Sequence, residues 1–178
     1  SFHVTGVQTC ALPILTMPRI PFDRLPDDAR LWVFGAARSL TDAERADLLV
    51  EVDRFLETWA AHGAPLTCAR DFREDRFLLV GVDEASVPPS GCSIDAMVNV
   101  LADRERRLGV PLVGHGAVFY RPTSGGVARA ERAAFRRLAE SGEVGPDTVV
   151  FDTTITRVGK LRDGSWERPA RESWHGPT

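Results

Sequence analysis

The stretch FLLVGV at residues 77–82 decides the fold that we expect, because it is short and apolar throughout. A similar run, LWVFG, occupies residues 31–35. Short runs of this kind, rich in aromatic and β-branched residues, are typical of buried strands. A strand that is apolar on every residue needs cover on both faces. We therefore expect the two runs to be antiparallel neighbours in the middle of one sheet, with other elements above and below it.

The residues between these two runs predict a helix and a further strand. Thr41 and Glu44 have the spacing of a capping box, and the apolar residues that follow recur at helical spacing. We expect Gly63 to end this helix. Apolar residues alternate at 66–72, which predicts an edge strand that forms a hairpin with residues 77–82.

The chain after residue 82 predicts a second helix and a fourth strand. The helix begins near Ser93 and stops at Gly109, and residues 111–121 have the pattern of a strand. The order strand, helix, strand, strand, helix, strand is that of the ferredoxin-like split βαβ fold. Right-handed crossovers then give the strand order 4-1-3-2. We predict an α+β protein with a ferredoxin-like βαββαβ core.

The C-terminal third is expected to be an extension that covers the second face of this sheet. Residues 129–141 predict a helix and residues 148–151 a short strand. Residues 155–165 fit either a strand or a short helix. An irregular tail with Trp166 and Trp174 is expected to run over the surface and to anchor by its indoles. The alternative is that a second copy of the chain covers the open face and forms a homodimer.

Composition and charge exclude several classes of protein. The 178 residues carry a net charge of −3, whereas a dedicated nucleic-acid-binding domain is usually basic. The chain has only 3 cysteines, which is too few for a disulfide framework and favours a reducing compartment. We expect a cytoplasmic protein with no membrane insertion, no nucleic-acid partner and no cofactor.

Residues 1–16 are interpreted as a non-native leader. They contain no Lys or Arg, which a secretory signal needs at its start. Their apolar stretch is also shorter than the roughly 20 residues that span a bilayer. Residues 4–14, VTGVQTCALPI, resemble the translation of a sequencing-library adapter joined in frame. We therefore expect Met17 to be the native start and residues 17–178 to form a single α+β domain.

Three further motifs resemble those of a family of small uncharacterised bacterial proteins. They are WAAHG at residues 59–63, SGCSID at 90–95, and WERPA at 166–170 followed by SWH at 173–175. The similarity covers residues 22–175. Members of this family often carry the automatic label "ABC transporter ATPase", and the resemblance implies no activity for any residue of this chain.

The ABC transporter ATPase label does not fit these residues. An ATPase of that class needs a glycine-rich loop that cradles phosphates, followed by a Lys and a Ser or Thr. The only lysine, Lys160, is followed by Leu161, and no such loop precedes it. We predict that the chain does not hydrolyse ATP.

Cys92, in the turn SGCS at residues 90–93, is the strongest candidate for a reactive group. The turn leads into the second helix, and the positive end of a helix dipole lowers the pKa of a nearby thiol. Asp95 opposes this effect, because a negative charge nearby raises that pKa. Ser90, Gly91, Ser93 and Asp95 are the candidate ligand-binding residues around the thiol.

A catalytic role for Cys92 would also need a base. His115 is the candidate partner and His175 the alternative, and a thiol enzyme needs one of them within hydrogen-bond reach of Cys92. The structural alternative is that Cys92 only fills space and Ser93 caps the helix. The histidines show no metal-ligand spacing, so no metal site is predicted.

Together these observations favour a small binding or regulatory module that performs no catalysis and whose partner is an unidentified small molecule or protein. The alternative is a thiol-dependent enzyme or redox sensor that uses Cys92.

Overall fold

The computed structural model describes residues 19–114 and 116–173, which form an α+β protein as predicted. The helices are α1 Asp42–Thr58, α2 Gly91–Leu108, α3 Arg132–Glu140 and α4 Val158–Arg162. The strands are β1 Arg30–Gly35, β2 Ala60–Ala61, β3 Ala64–Pro65, β4 Thr67–Arg73, β5 Phe77–Asp83, β6 Ala117–Tyr120, β7 Ala128–Glu131, β8 Val149–Phe151 and β9 Glu167–Pro169. Two 3-10 turns lie at Phe22–Arg24 and Ala170–Glu172.

The run at residues 77–82 lies at the centre of the first sheet, as the sequence predicts. This sheet has the order β1-β5-β4, and both neighbours of β5 are antiparallel to it. Every residue of the run is buried. Leu78 and Val80 pack in one core with α1 and α2, whereas Phe77 and Leu79 belong to a second core on the opposite face. The expected two-sided cover of this strand is therefore confirmed.

The predicted strand order 4-1-3-2 is wrong, because the fourth strand of that scheme, β6, does not pair with β1. It pairs instead with β7 and β8 in a four-stranded sheet of order β7-β6-β8-β9. Hydrogen bonds fix the chain that follows α2. The Pro111 carbonyl accepts one from the Ala37 amide, and the Glu105 carboxylate accepts two, from the Leu112 and Val113 amides. These contacts precede β6, which belongs to the second layer.

At one end of β1, a different segment occupies the position that was predicted for the fourth strand. The Leu31 amide donates to the Thr156 carbonyl at 2.9 Å, and Arg30 forms an isolated bridge with Arg157. Only the order of the first three predicted strands is therefore present in this sheet. The architecture is α+β, but it is not ferredoxin-like.

The C-terminal third covers the second face of the first sheet, as predicted. The ring of Phe77 lies 5.0 Å from that of Phe119, 5.1 Å from that of Phe151 and 5.0 Å from that of Trp166. A Cβ atom at Gly35 would lie 2.5 Å from Cζ of Phe119, so a side chain there would hold the layers apart. Because the chain's own residues fill this face, a second copy is not needed to cover it.

The outer face of the four-stranded sheet packs against α3. Val118, Tyr120 and Val150 of the sheet form a third core with Phe135 of α3 and Val144. The layers therefore follow in the order α1 and α2, the first sheet, the four-stranded sheet, and α3. The helix predicted at 129–141 begins later than expected, because its first residues belong to β7.

Trp166 corrects the prediction of a surface tail. Its side chain is only 5 % exposed and lies in the core between the sheets, because β9 carries the chain back into the four-stranded sheet. Trp174 lies outside the described residues. The segment that fitted either a strand or a helix forms α4, which settles that alternative in favour of a helix.

The end of the first helix differs from the prediction, whereas the start of the second agrees with it. The first helix stops at Thr58, and Gly63 instead forms the turn between β2 and β3 together with His62, whose φ is 51°. The second helix begins at Gly91, near Ser93 as predicted.

Residues 1–18 lie outside the described part of the chain, so the interpretation of the leader and the assignment of 17–178 to a single domain stay predictions. Within the described residues, none of the helices has the length and apolar character needed to cross a membrane.

Candidate functional site

The predicted site around Cys92 lies at the first turn of α2. The Ser90 hydroxyl accepts from the Ser93 amide at 3.1 Å, and the Ser93 hydroxyl accepts from the Ser90 amide at 2.8 Å. Ser90 is therefore the N-cap, and the prediction that Ser93 caps the helix is wrong. Both hydroxyls satisfy free helix amides, which is the usual function of a capping box.

The other predicted residues of this site face solvent. Cys92, the second residue of α2, is an exposed free thiol, so it does not fill space in a core. Gly91 and Asp95 are also exposed. The buried Ser93 fixes this turn to the core, because its carbonyl accepts from the indole Nε1 of Trp59 at 2.8 Å.

His115, the predicted partner of Cys92, and the alternative His175 lie outside the described residues, so the catalytic pair stays a prediction. His62 is exposed in the turn between β2 and β3. In the ranges 19–114 and 116–173, no three His, Cys, Asp or Glu side chains are grouped so that they could hold a metal ion.

The second described cysteine contrasts with Cys92. Cys68 of β4 is fully buried, and its Sγ donates to the Leu56 carbonyl at 3.5 Å. Burial raises the pKa of this thiol to about 12, so it stays protonated at neutral pH. Cys68 is a structural residue of the core.

A cleft of about 400 Å³ opens where the 3-10 turn Phe22–Arg24 meets the end of β4 and α4. It is lined by two apolar and four charged residues: Phe22, Asp23, Asp71, Arg73, Leu161 and Arg162. Concave sites with an apolar surface and a few converging polar groups are typical of small-molecule binding. This cleft is therefore a candidate ligand site.

The arginines of the cleft are held in place by ion pairs. Arg73 Nε lies 2.7 Å from the Asp71 carboxylate, and Arg162 Nη1 lies 2.6 Å from the Asp27 carboxylate. Arg162 also reaches the Asp23 carbonyl at 3.4 Å. The cleft therefore presents both signs of charge in defined positions beside an apolar surface.

A second unusual arrangement surrounds the turn between β4 and β5. Its two central residues, Glu74 and Asp75, have φ of 57° and 51°, which glycine or asparagine would adopt at lower cost. Each is held by an ion pair from another element: Glu74 with Arg121 after β6, and Asp75 with Arg45 of α1, at 2.8 and 2.7 Å. The turn is thus fixed from two layers of the fold.

Arg121 is fully paired. It contacts the carboxylates of Glu74 and Glu167, each at 2.8 Å, and its guanidinium lies 4.9 Å from the centre of the Phe151 ring. Hydrogen bonds to Glu167 and Glu74 raise the pKa of Arg121, and the hydrogen bond from Arg121 lowers the pKa of Glu74.

Arg76, the last residue of the same turn, has a different environment. It is only 7 % exposed, and its Nε and Nη1 are buried and form no hydrogen bond with the described part of the chain. The guanidinium lies 6.0 Å from the centre of the Phe119 ring. Burial lowers the pKa of Arg76, and the like charge of Arg129 lowers it further.

Neither the cleft nor the buried Arg76 was expected from the sequence. The four residues 73–76 are all charged and contain no Gly or Asn, the residues that a two-residue hairpin turn prefers. The absence of Gly and Asn was the signal in the sequence that this turn is unusual. Nothing in the local sequence identified the residues of the cleft, because they come from three distant segments.

No family model, no curated protein and no solved structure matches this chain. The resemblance to the bacterial family labelled "ABC transporter ATPase" therefore stays a prediction.

Proposed function

We propose that this chain is a binding or regulatory module without catalysis, and that it takes a small-molecule ligand in the cleft defined above. The observation that carries the proposal is the combination of Phe22 and Leu161 with the two ion-paired arginines, Arg73 and Arg162, in one concavity. Apolar surface supplies affinity, and fixed polar groups supply orientation.

The charges of the cleft favour a ligand that carries both signs of charge and an apolar group. Arg73 and Arg162 can each donate to an anionic group, and Asp23 and Asp71 can each accept from a cationic one. A purely anionic ligand would meet the two carboxylates, and a purely cationic one would meet the two guanidiniums. Free amino acids with apolar side chains have the required chemistry and are suitable probes.

The test is a titration of the full chain with L-leucine and L-phenylalanine, in which NMR chemical shifts of the backbone amides report where each ligand binds. We expect the shifts to concentrate at Asp71, Arg73 and Leu161. Arg73→Ala should weaken binding by about tenfold, which corresponds to the loss of one charge-assisted hydrogen bond.

The matched control is Arg54→Ala. Arg54 also pairs with a carboxylate at 2.7 Å, that of Glu51, but on the exposed surface of α1 and outside the cleft. This variant should bind as the wild type does. Shifts that avoid the cleft, or equal effects of the two substitutions, would remove the proposal.

The thiol-dependent alternative is kept as a second candidate because Cys92 is exposed at the start of α2. A pH titration of alkylation measures its reactivity, and Cys92→Ser is the control that leaves only the other thiols. A reaction rate that follows an ordinary thiol pKa of about 8.5 would dismiss this candidate.

We also propose that the chain is not an ATPase. Lys160 lies inside the five-residue α4, where its ammonium faces Asp163 at 3.4 Å. A phosphate-binding lysine needs a preceding glycine-rich loop. Calorimetric titration with ATP should give no heat of binding, and binding that Lys160→Ala abolishes would contradict this proposal.

A further inference from the structure

Arg76 does not line the cleft, so its burial needs a separate explanation. Its Nε and Nη1 are buried without a hydrogen-bond partner in the described part of the chain. A guanidinium keeps its proton in a protein, so it is buried as a cation. Buried charges in native proteins are normally paired, because an unpaired one costs several kcal/mol. The environment of Arg76 should therefore indicate which partner it takes.

Among the described residues, an aromatic ring and a second arginine lie beside the Arg76 guanidinium. The Phe119 ring covers the guanidinium at 6.0 Å, and Arg129 lies directly opposite Phe119 in the β6–β7 register. Residues opposite each other in an antiparallel pair point to the same face. Arg129 is therefore on the side of the four-stranded sheet that faces Arg76, and its Nη2 contacts the Glu131 carboxylate at 2.7 Å.

We propose that Arg76 and Arg129 form a binding site for a small monovalent oxyanion, in the first place a carboxylate, at the junction of the β4–β5 turn and the four-stranded sheet. This site is lined by residues other than those of the cleft, and the proposal does not depend on the ligand of that cleft. The planar fork of a guanidinium matches the two oxygens of a carboxylate.

The balance of charges favours one negative charge over two. Arg76 and Arg129 with Glu131 leave a single positive charge, because Glu131 already pairs with Arg129. A monovalent anion neutralises this single positive charge, whereas a dianion would leave an excess negative charge in the site.

The enclosure of the site restricts the size of the ligand. Nε and Nη1 contribute almost nothing to the 7 % exposure of Arg76, so an anion reaches them only when neighbouring side chains shift. The turn that bears Arg76 is held by the two ion pairs of Glu74 and Asp75. We therefore expect acetate or formate to bind more readily than a bulky acid.

The experiment compares the Tm of the full chain in sodium acetate, sodium phosphate and sodium chloride at equal ionic strength and neutral pH. Acetate should raise the Tm by about 3 °C more than chloride, the shift expected when the anion is well above its Kd. Arg76→Met should abolish this difference. The control Arg106→Met replaces an arginine whose side chain is 73 % exposed, and it should leave the difference unchanged.

A direct observation keeps the test independent of how the variants fold. In the wild type, the NMR cross-peak of the Arg76 Nε–H group should move and saturate during titration with acetate, while that of Arg106 should not saturate. Equal Tm values in acetate and chloride together with an unmoved Arg76 cross-peak would overturn the proposal. A larger Tm rise in phosphate than in acetate would overturn the assignment to a monovalent carboxylate.

Discussion

Arg104 and Arg76 are buried to nearly the same extent, 6 and 7 % exposed, but their surroundings differ completely. Arg104 lies between α1 and α2, where it contacts Asp103 at 2.7 Å and Asp47 at 3.5 Å. Arg76 meets an aromatic ring and a second arginine. The same degree of burial therefore marks a structural ion pair in one place and a candidate ligand-binding group in the other.

The difference follows from where nearby acids point. Asp103 precedes Arg104 in α2 and turns toward it, whereas Glu74 and Asp75, which precede Arg76, pair with Arg121 and Arg45 in other layers. Proximity along the chain thus does not establish an ion pair. The tight turn between β4 and β5 directs its carboxylates away from its own arginine.

Removal of the Phe119 ring that covers Arg76 should have the largest effect on the free energy of unfolding. Phe119→Ala removes a nearly buried ring and should lower the free energy of unfolding by about 3 kcal/mol. It should also let water reach Arg76. Arg76→Met should then stabilise the wild type but not the Phe119→Ala background, as measured by urea unfolding of the four proteins.

Phe135→Ala is the matched control for that experiment. Phe135 is 6 % exposed, as Phe119 is, but it packs on the outer face of the four-stranded sheet. Phe135→Ala should be destabilised to a similar degree. In this background, Arg76→Met should change the free energy of unfolding as much as it does in the wild type. If both backgrounds change that effect equally, Phe119 is not the cover of Arg76.

Substitution of the two arginines themselves should change stability in opposite directions. Arg104→Met should lower the free energy of unfolding by about 1–2 kcal/mol, because it removes the partner of two half-exposed carboxylates. In chloride, Arg76→Met should raise it by about 1 kcal/mol, since the variant replaces a buried cation by an apolar side chain of similar length, and Nε and Nη1 of that cation have no hydrogen-bond partner among the described residues. Urea denaturation in chloride buffer measures both, and a loss of stability in both variants would contradict the comparison.

A smaller effect is expected from Glu74, which pairs with Arg121 and is about one third exposed. Glu74→Gln should lower stability at neutral pH by about 0.5 kcal/mol, the usual value for a partly exposed ion pair. The folded protein lowers the pKa of Glu74 below its ordinary 4.5, so this contribution is present above the unfolded pKa and is lost as the pH falls through the folded one.

Wild type and Glu74→Gln should therefore become equally stable in acid, as thermal unfolding across the acidic range will show. Glu57→Gln, at an exposed position of α1, is the control and should change stability little at any pH. A difference between wild type and Glu74→Gln that persists at low pH would show that the ion pair is not its cause.

The smallest effect on stability should come from breaking the exposed ion pair of Arg38 and Glu44, which lie 2.7 Å apart at the start of α1. Hydrogen bonds from Arg38 and the Thr41 amide lower the pKa of Glu44 from 4.5 to about 2. Its contribution is thus fully present above the unfolded pKa and disappears as the pH falls toward 2. NMR titration of the Glu44 carboxyl checks the pKa, and Arg38→Gln should return it toward the ordinary value.

The fold was predictable where it depended on local periodicity. The apolar run at 77–82 predicted the central strand, its antiparallel neighbours and its cover on both faces, and all three are present. The capping box of Thr41 and Glu44 is also present at the start of α1. These features follow from side-chain spacing, which repeats every two residues in strands and about every 3.6 in helices.

The candidate sites were much less predictable. Cys92 was correctly placed near the start of a helix, but Ser90 and Ser93, which were predicted to bind a ligand, form the capping box. The cleft combines Phe22, Asp71 and Leu161, which are far apart in sequence and have no shared motif. Such a site exists only after distant segments have packed together.

By itself the sequence determined the strands β1, β4, β5, β6 and β8, the helices α1 and α2, and which of their residues must leave water. The tertiary structure decided which layer each apolar face meets: β6 joined the second sheet and left the edge of β1, and Trp166 entered the core. It also decided that Nε and Nη1 of Arg76 are buried with no hydrogen-bond partner among the described residues. The physical reason is that hydrophobic burial is non-directional, so a pattern shows that a face is covered but the partner depends on the geometry of the whole chain.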